Sequence, residues 1–134
     1  IKQVFRKVFP LIPIVITKSS TAEMVKYFTN CFLATKVTFA NQMYQICEMA
    51  NIDYDKVCEY ALYDERIGKS HLAVPGPDGD LGFGGHCFPK DLGAMINFGQ
   101  EAGTGLLQAV EYFNNDIRTD RNWETMKGRA VSDD

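Results

Sequence analysis

The chain has 134 residues, 46% of them apolar and 23% charged, a balance that suits one globular domain with a real core. A formal net charge of -3 gives no footing for nucleic acid or an anionic membrane surface as partner. No apolar run approaches the ~20 residues that span a bilayer.

The first stretch, IKQVFRKVFPLIPIVITK, sets basic residues beside an apolar run, as a signal peptide does. It lacks a small-residue cleavage pattern, and Pro10 and Pro13 interrupt the run. It reads instead as a short amphipathic turn and a proline-bounded β-type run, Ile12–Thr17. The chain opens on Ile1 rather than Met, as a fragment would, or a chain lacking a few leading residues.

Ser19, Ser20 and Thr21 are N-cap candidates for the next element. From Ala22 to about Ala50 there is no Gly or Pro, and apolar residues recur at Val25, Phe28, Phe32, Phe39, Met43 and Ile46. That spacing predicts one long helix, the spine of the domain. Asn51 and Asp53 mark a turn, and Tyr54–Leu62 reads as a shorter helix. Between Gly68 and Gly85 the sequence GKSHLAVPGPDGDLGFGG is too rich in Gly and Pro for a regular element, and irregular loops of this length usually carry function. Pro89 stands at the start of a helix expected over Lys90–Glu101. Gly103 and Gly105 break it, and Leu106–Thr119 reads as the last helix. The tail from about Arg121 is polar, with Trp123 as its one large apolar residue. The expected fold is mainly α.

Four cysteines, Cys31, Cys47, Cys58 and Cys87, show no C-x-x-C spacing, and three lie in helical segments. Neither a disulfide framework nor a metal site is expected, and a reducing cytoplasm is the default location.

The chemistry concentrates in GFGGHCFPKDL, Gly82 to Leu92. Its three leading glycines let backbone approach a ligand and turn N–H groups toward it. Cys87 lies near a helix N-terminus, whose positive end favours thiolate and nucleophilicity, and Lys90 adds to that effect. Asp91 in the first turn suits the dipole and is placed to hold a water near Cys87. The plainer reading is an inert cysteine and an aspartate completing a helix start. Lys26 and Asn30, four residues apart, share a face of the long helix. They are either donors to a developing oxyanion or part of a solvated face.

Taken together these segments resemble the UDP-glucose/GDP-mannose dehydrogenase family. GFGGHCFPKD resembles its cysteine motif, and AEMVKYFTNCFLATKVTFANQM its central helix. YDERIG is similar to its substrate-loop arginine motif, and SHLAVPGPDGDLGFGG to the substrate loop of the UDP-glucose members. The order and intervals agree from about Ile12 to Val131.

The resemblance implies a helical central domain that binds a sugar nucleotide, UDP-glucose by the wording of the RIG and VPGPDG segments. Such enzymes oxidise the sugar C6 alcohol to a carboxylate with two NAD. Cys87 then matches the nucleophile that captures the aldehyde and carries it as a thioester. Lys26 and Asn30 match the groups on the C6 oxyanion, and Asp91 the carboxylate that helps activate water. Arg66 matches an arginine reaching the substrate of a neighbouring subunit, since the long helices form the homodimer interface. His71, Val74, Pro75, Gly82, Phe83 and Gly84 fall in the loop that follows the sugar and diphosphate, and Lys90 falls on the cofactor side.

The departure from the family is large. No strand–GxGxxG–helix unit occurs, so NAD is expected mostly on an absent N-terminal domain. Residues 1–18 read as the end of that domain, 19–120 as the central domain, and 121–134 as the start of a linker to a C-terminal nucleotide-binding domain. On this reading the isolated chain is inactive. The alternatives are a stand-alone helical dimerisation module, or a cysteine hydrolase for which neither His71 nor His86 offers a convincing base position.

Overall fold

The computed structural model describes residues 2–126 and is mainly helical, as expected. Helix α1 (Lys2–Val8) carries Arg6 and Lys7 in its last turn, where cations suit the dipole, and buries nothing. Pro10 cannot continue it. The β-type run Ile12–Thr17 does not form a strand. A strand is completed by a partner's ladder, and none of the described residues forms one; Ile12, Val15 and Ile16 are exposed.

Helix α2 (Ser19–Ala50) runs for 32 residues, about 48 Å, uninterrupted by Gly or Pro. Its N-cap is Lys18, so Ser19, Ser20 and Thr21 lie inside the first turn and do not cap it. Asn51 closes it at φ 55, donating its N–H to the Cys47 and Glu48 carbonyls, a conformation asparagine tolerates well. No helix among the described residues is long and apolar enough to cross a membrane.

The face of α2 that packs inward is made of small residues. Cys31, Ala34, Ala40 and Cys47 are buried, whereas Val25, Phe28, Phe32, Phe39 and Ile46 are exposed. Helix α3 (Tyr54–Ala61) is capped by Asp53, whose carboxylate accepts from the Lys56 N–H at 3.1 Å. Tyr54 packs edge-on to Tyr44 and donates its hydroxyl to the Leu72 carbonyl at 2.8 Å. This pins the start of the long loop against Ala40 and Cys47.

Helix α4 (Cys87–Phe98) begins three residues before the Lys90 start read from the sequence. Pro89 fits there because the N–H groups of a helix's first turn have no intrahelical acceptor to lose. A 3₁₀ turn (Gln100–Ala102) ends at Gly103, φ 87, before helix α5 (Gly105–Ile117). Helices α2, α4 and α5 enclose the main core of Cys31, Ala34, Phe83, Leu92 and Val110. The polar tail contributes too: a 3₁₀ turn (Asn122–Thr125) buries Trp123. Most of the linker expected from residue 121 lies outside the described residues.

Candidate active site

Cys87 is the first residue of α4 and Asp91 follows four positions later, so both project from one face. Asp91 meets α2. Asn30 donates its amide to Asp91 Oδ2 at 2.5 Å, and Lys26 Nζ lies 3.1 Å from Oδ2 and 3.3 Å from Oδ1. Lys90 Nζ adds a contact to Oδ1 at 2.5 Å. The Asp91 side chain is 0% exposed, against 57% for Lys26 and 35% for Lys90.

Both carboxylate oxygens are therefore satisfied, and two ammonium groups stand over one negative charge. Burial pushes the Asp91 carboxyl up. Hydrogen bonds from Lys90, Asn30 and Lys26 outweigh that and hold it below the ordinary carboxylate range. The hydrogen bond to Asp91 raises the Lys90 ammonium in turn. The cluster thus presents a net positive, donor-rich surface beside the thiol, suited to a developing oxyanion or an anionic substrate. Lys26 and Asn30 face Asp91 rather than solvent alone, which the four-residue spacing did not reveal.

The four cysteines are free. Cys31 and Cys47 are buried and Cys87 is exposed. Burial, then the Asp91 charge, pushes the Cys31 thiol up, so Cys31 stays protonated in the core. Cys87 Sγ lies 3.5 Å from His86 Nε2, a contact that adjacency in sequence does not imply.

Beyond Phe88 opens a cleft of about 530 Å³, lined by His71, Gly82, Phe83, Gly84 and Gly85 among others. Phe83 and Phe88 meet edge-on, and the His71 ring tilts against Phe88. Of the residues expected on the substrate, His71, Gly82, Phe83 and Gly84 line this cleft. Val74 instead packs on the Tyr54 cluster, and Pro75 is exposed outside the cleft. Arg66 is exposed and its guanidinium forks onto Asp64, two residues away. Lys36 of α2 holds the following Ile67 and Gly68 carbonyls at 3.0 and 2.7 Å.

The glycine tract differs from expectation in one respect. Its N–H groups are largely taken inside the protein: Gly82 donates to Asn41, Phe83 to Asn114 and Gly85 to Asn122. Asn114 also donates back to the Phe83 carbonyl. Gly82 and Gly84 are required by close approach, whereas Gly85 has open space around it and φ 69. A Cβ on Gly82 would overlap the Asn114 amide oxygen, and one on Gly84 the Arg118 guanidinium. Arg118 is itself buried and reaches Asp78, Asp80 and the Leu81 carbonyl. Asn41, Asn114 and Arg118 were not singled out by motif. For Asn41 and Asn114 the one signal in the sequence is a polar residue at a core-facing helical position; Arg118 stands just past the end of α5 in extended backbone.

Among the described residues there is no strand–glycine turn–helix unit to seat a dinucleotide diphosphate. Lys90, expected on the cofactor side, has its ammonium on Asp91.

The chain shares 38% identity over 128 residues with the UDP-glucose 6-dehydrogenase TuaD of Bacillus subtilis (strain 168), covering 90% of this chain and 27% of that protein. It shares 41% over 105 residues with the UDP-glucose 6-dehydrogenase AglM of Haloferax volcanii, covering 77% and 23%. Against the UDP-glucose 6-dehydrogenase of Rickettsia bellii the figure is 45% over 82 residues, 61% of this chain and 18% of that one. The chain thus spans about a quarter or less of the length of these relatives. The profile of the family's central domain matches residues 20–116, which include Lys26, Asn30, Cys87 and Asp91, and with it the chain belongs to the UDP-glucose/GDP-mannose dehydrogenase family.

Proposed function

We propose that this chain is the central, substrate-holding and dimer-forming part of a UDP-glucose 6-dehydrogenase, an NAD-dependent oxidoreductase that makes UDP-glucuronate. The observation that carries the reading is the convergence of Lys26, Asn30 and Lys90 on buried Asp91, one helical turn from exposed Cys87.

In this reading the 530 Å³ cleft receives the sugar nucleotide along His71 and the 82–85 backbone. The thiol of Cys87 adds to the C6 aldehyde, and the oxyanion so formed meets the donors of Lys26 and Asn30. Carried to the acid level, the carbon stays on sulfur as a thioester until water releases it. Asp91 holds both lysines and Asn30 in register for these steps, and its part in orienting that water runs through the groups it holds. NAD, the hydride acceptor, is held by parts of the enzyme other than these residues. Residues 1–18 belong to the end of an N-terminal nucleotide-binding domain, 19–120 to the central domain, and 121 onward to the link with a third domain.

The exposed apolar row on α2, with Phe28 72% and Phe32 59% exposed, supports a homodimer through this helix. Arg66, exposed and paired only with Asp64 among the described residues, is suited to reach a neighbouring subunit. Free thiols, two of them buried, agree with a reducing cytoplasm. By itself the chain is a helical dimer without dehydrogenase activity.

The reading is tested by transplanting residues 20–116 into the Bacillus subtilis relative in place of its matching segment. The chimera is expected to form NADH from UDP-glucose and to release UDP-glucuronate, and Cys87→Ser in it to stop the release. Normal UDP-glucuronate output from the serine variant overturns the nucleophile. NADH formation by the purified 134-residue chain alone overturns the claim of inactivity.

A further inference from the structure

We propose that His86 is a catalytic residue of this site, the base whose Nε2 takes the Cys87 thiol proton as Sγ bonds to an electrophilic carbon. The inference rests on Cys87 being the nucleophile. It adds the group that activates it.

A thiol becomes an effective nucleophile when an acceptor with a free lone pair lies against it. The neighbouring side chains can be taken in turn. The ammonium groups of Lys26 and Lys90 have no lone pair, and the Asn30 nitrogen is a donor committed to Asp91. Asp91 has acceptor oxygens, but it is wholly buried and both oxygens are occupied. The His71 ring is exposed and tilts against Phe88, 5.9 Å between centroids, and makes no hydrogen-bond contact with Cys87 among the described residues. His86 differs from all of these. It is the N-cap residue of α4, its side chain is exposed, and Nε2 stands 3.5 Å from Cys87 Sγ. With the proton of the neutral imidazole on Nδ1, Nε2 is an acceptor.

The step balances without an external reagent. The S–H proton moves to Nε2, the S–C bond forms at an aldehyde carbon, and the carbonyl π pair moves to oxygen. The proton is then available to return from Nε2 to that oxygen, leaving a neutral thiohemiacetal and a neutral imidazole. Nothing is oxidised or reduced in this addition.

The experiment uses the 134-residue chain and iodoacetamide, with alkylation of each cysteine followed by mass spectrometry at neutral pH. Cys87 is expected to react faster than N-acetylcysteine. In His86→Ser and His86→Gln its rate is expected to fall about tenfold or more, and added imidazole to restore much of the loss in the smaller serine variant. A helix loosened by substitution would not be repaired by imidazole, so the rescue separates proton transfer from folding. Three equal rates overturn the role of His86 while leaving Cys87 as nucleophile. Slow variants that ignore imidazole overturn the base assignment. If wild-type Cys87 reacts no faster than N-acetylcysteine, the nucleophile and its base fall together.

Discussion

Asn30 and Asp91, 61 residues apart, are joined by a 2.5 Å hydrogen bond that ties the middle of the fold to the site. It links α2 to α4 at the level where Lys26 and Lys90 also reach the carboxylate. Removing the charge at Asp91 leaves two ammonium groups facing each other across an amide. Asp91→Asn is expected to destabilise the fold by about 2–3 kcal/mol. That is below the 3–5 kcal/mol for breaking a fully buried pair, because both lysines partly reach water. Urea unfolding at neutral pH measures it, and a loss under about 1 kcal/mol would show that the cluster is held by its surroundings instead.

Acid is expected to weaken the same link. Asp91 has a folded-state carboxyl below its ordinary value. Asp78 is lowered chiefly by the Arg118 hydrogen bond, and Asp80 by the Asp120 N–H. For a lowered carboxyl the unfolded chain binds the proton more tightly. Its stabilisation is therefore complete above the unfolded value, near pH 4, and lost as pH falls through the folded value. Urea midpoints should drop steadily below about pH 4, and the drop should be shallower in Asp91→Asn. Parallel curves for the two proteins would remove Asp91 from the account.

The glycine tract supplies a graded test of close approach. Gly82 combines φ 67 with a Cβ position that overlaps Asn114, whereas Gly79 has φ 82 and open space around it. Gly79→Ala should cost only backbone strain, about 1–2 kcal/mol. Gly82→Ala should cost about 2–4 kcal/mol, because Asn114 must also leave the Phe83 backbone. Thermal unfolding of the two variants side by side decides it, and equal losses would mean that strain alone dictates the glycine.

The dimer is the easiest proposal to break. Phe28 and Phe32 stack with ring centroids 6.4 Å apart on the exposed face of α2. Phe28→Glu should turn a dimer into a monomer by light scattering and leave the helix content unchanged, since the ring buries little within one chain. A dimer of unaltered size would place the interface elsewhere.

How much of this was legible beforehand depended on how local the cause is. The long helix follows from 32 residues without Gly or Pro, and its end from Asn51 and Asp53, all of which act on their own backbone. Cys87 at a helix start, with Asp91 one turn on, was likewise readable from a short motif. The direction in which α2 packs was not. Its apolar periodicity named the phenylalanines, but the inward face is small: Cys31 and Ala34 against α4 and α5, and Ala40 against Tyr54 of α3, because only small side chains let these elements come close. The run at Ile12–Thr17 has strand-like residues and no ladder to join.

Sequence alone therefore determined the long helix, its end at Asn51, the Asp53 cap of α3 and a cysteine near the start of α4, since each depends on neighbours within a turn or two. Tertiary structure decided where the polar groups point. It turned Lys26 and Asn30 onto Asp91, gave the N–H groups of Gly82, Phe83 and Gly85 to Asn41, Asn114 and Asn122, and set His86 against Cys87. The physical reason is burial. A carboxylate or amide enclosed by three helices must find its partners among whatever side chains the packing brings within reach, however distant in the chain.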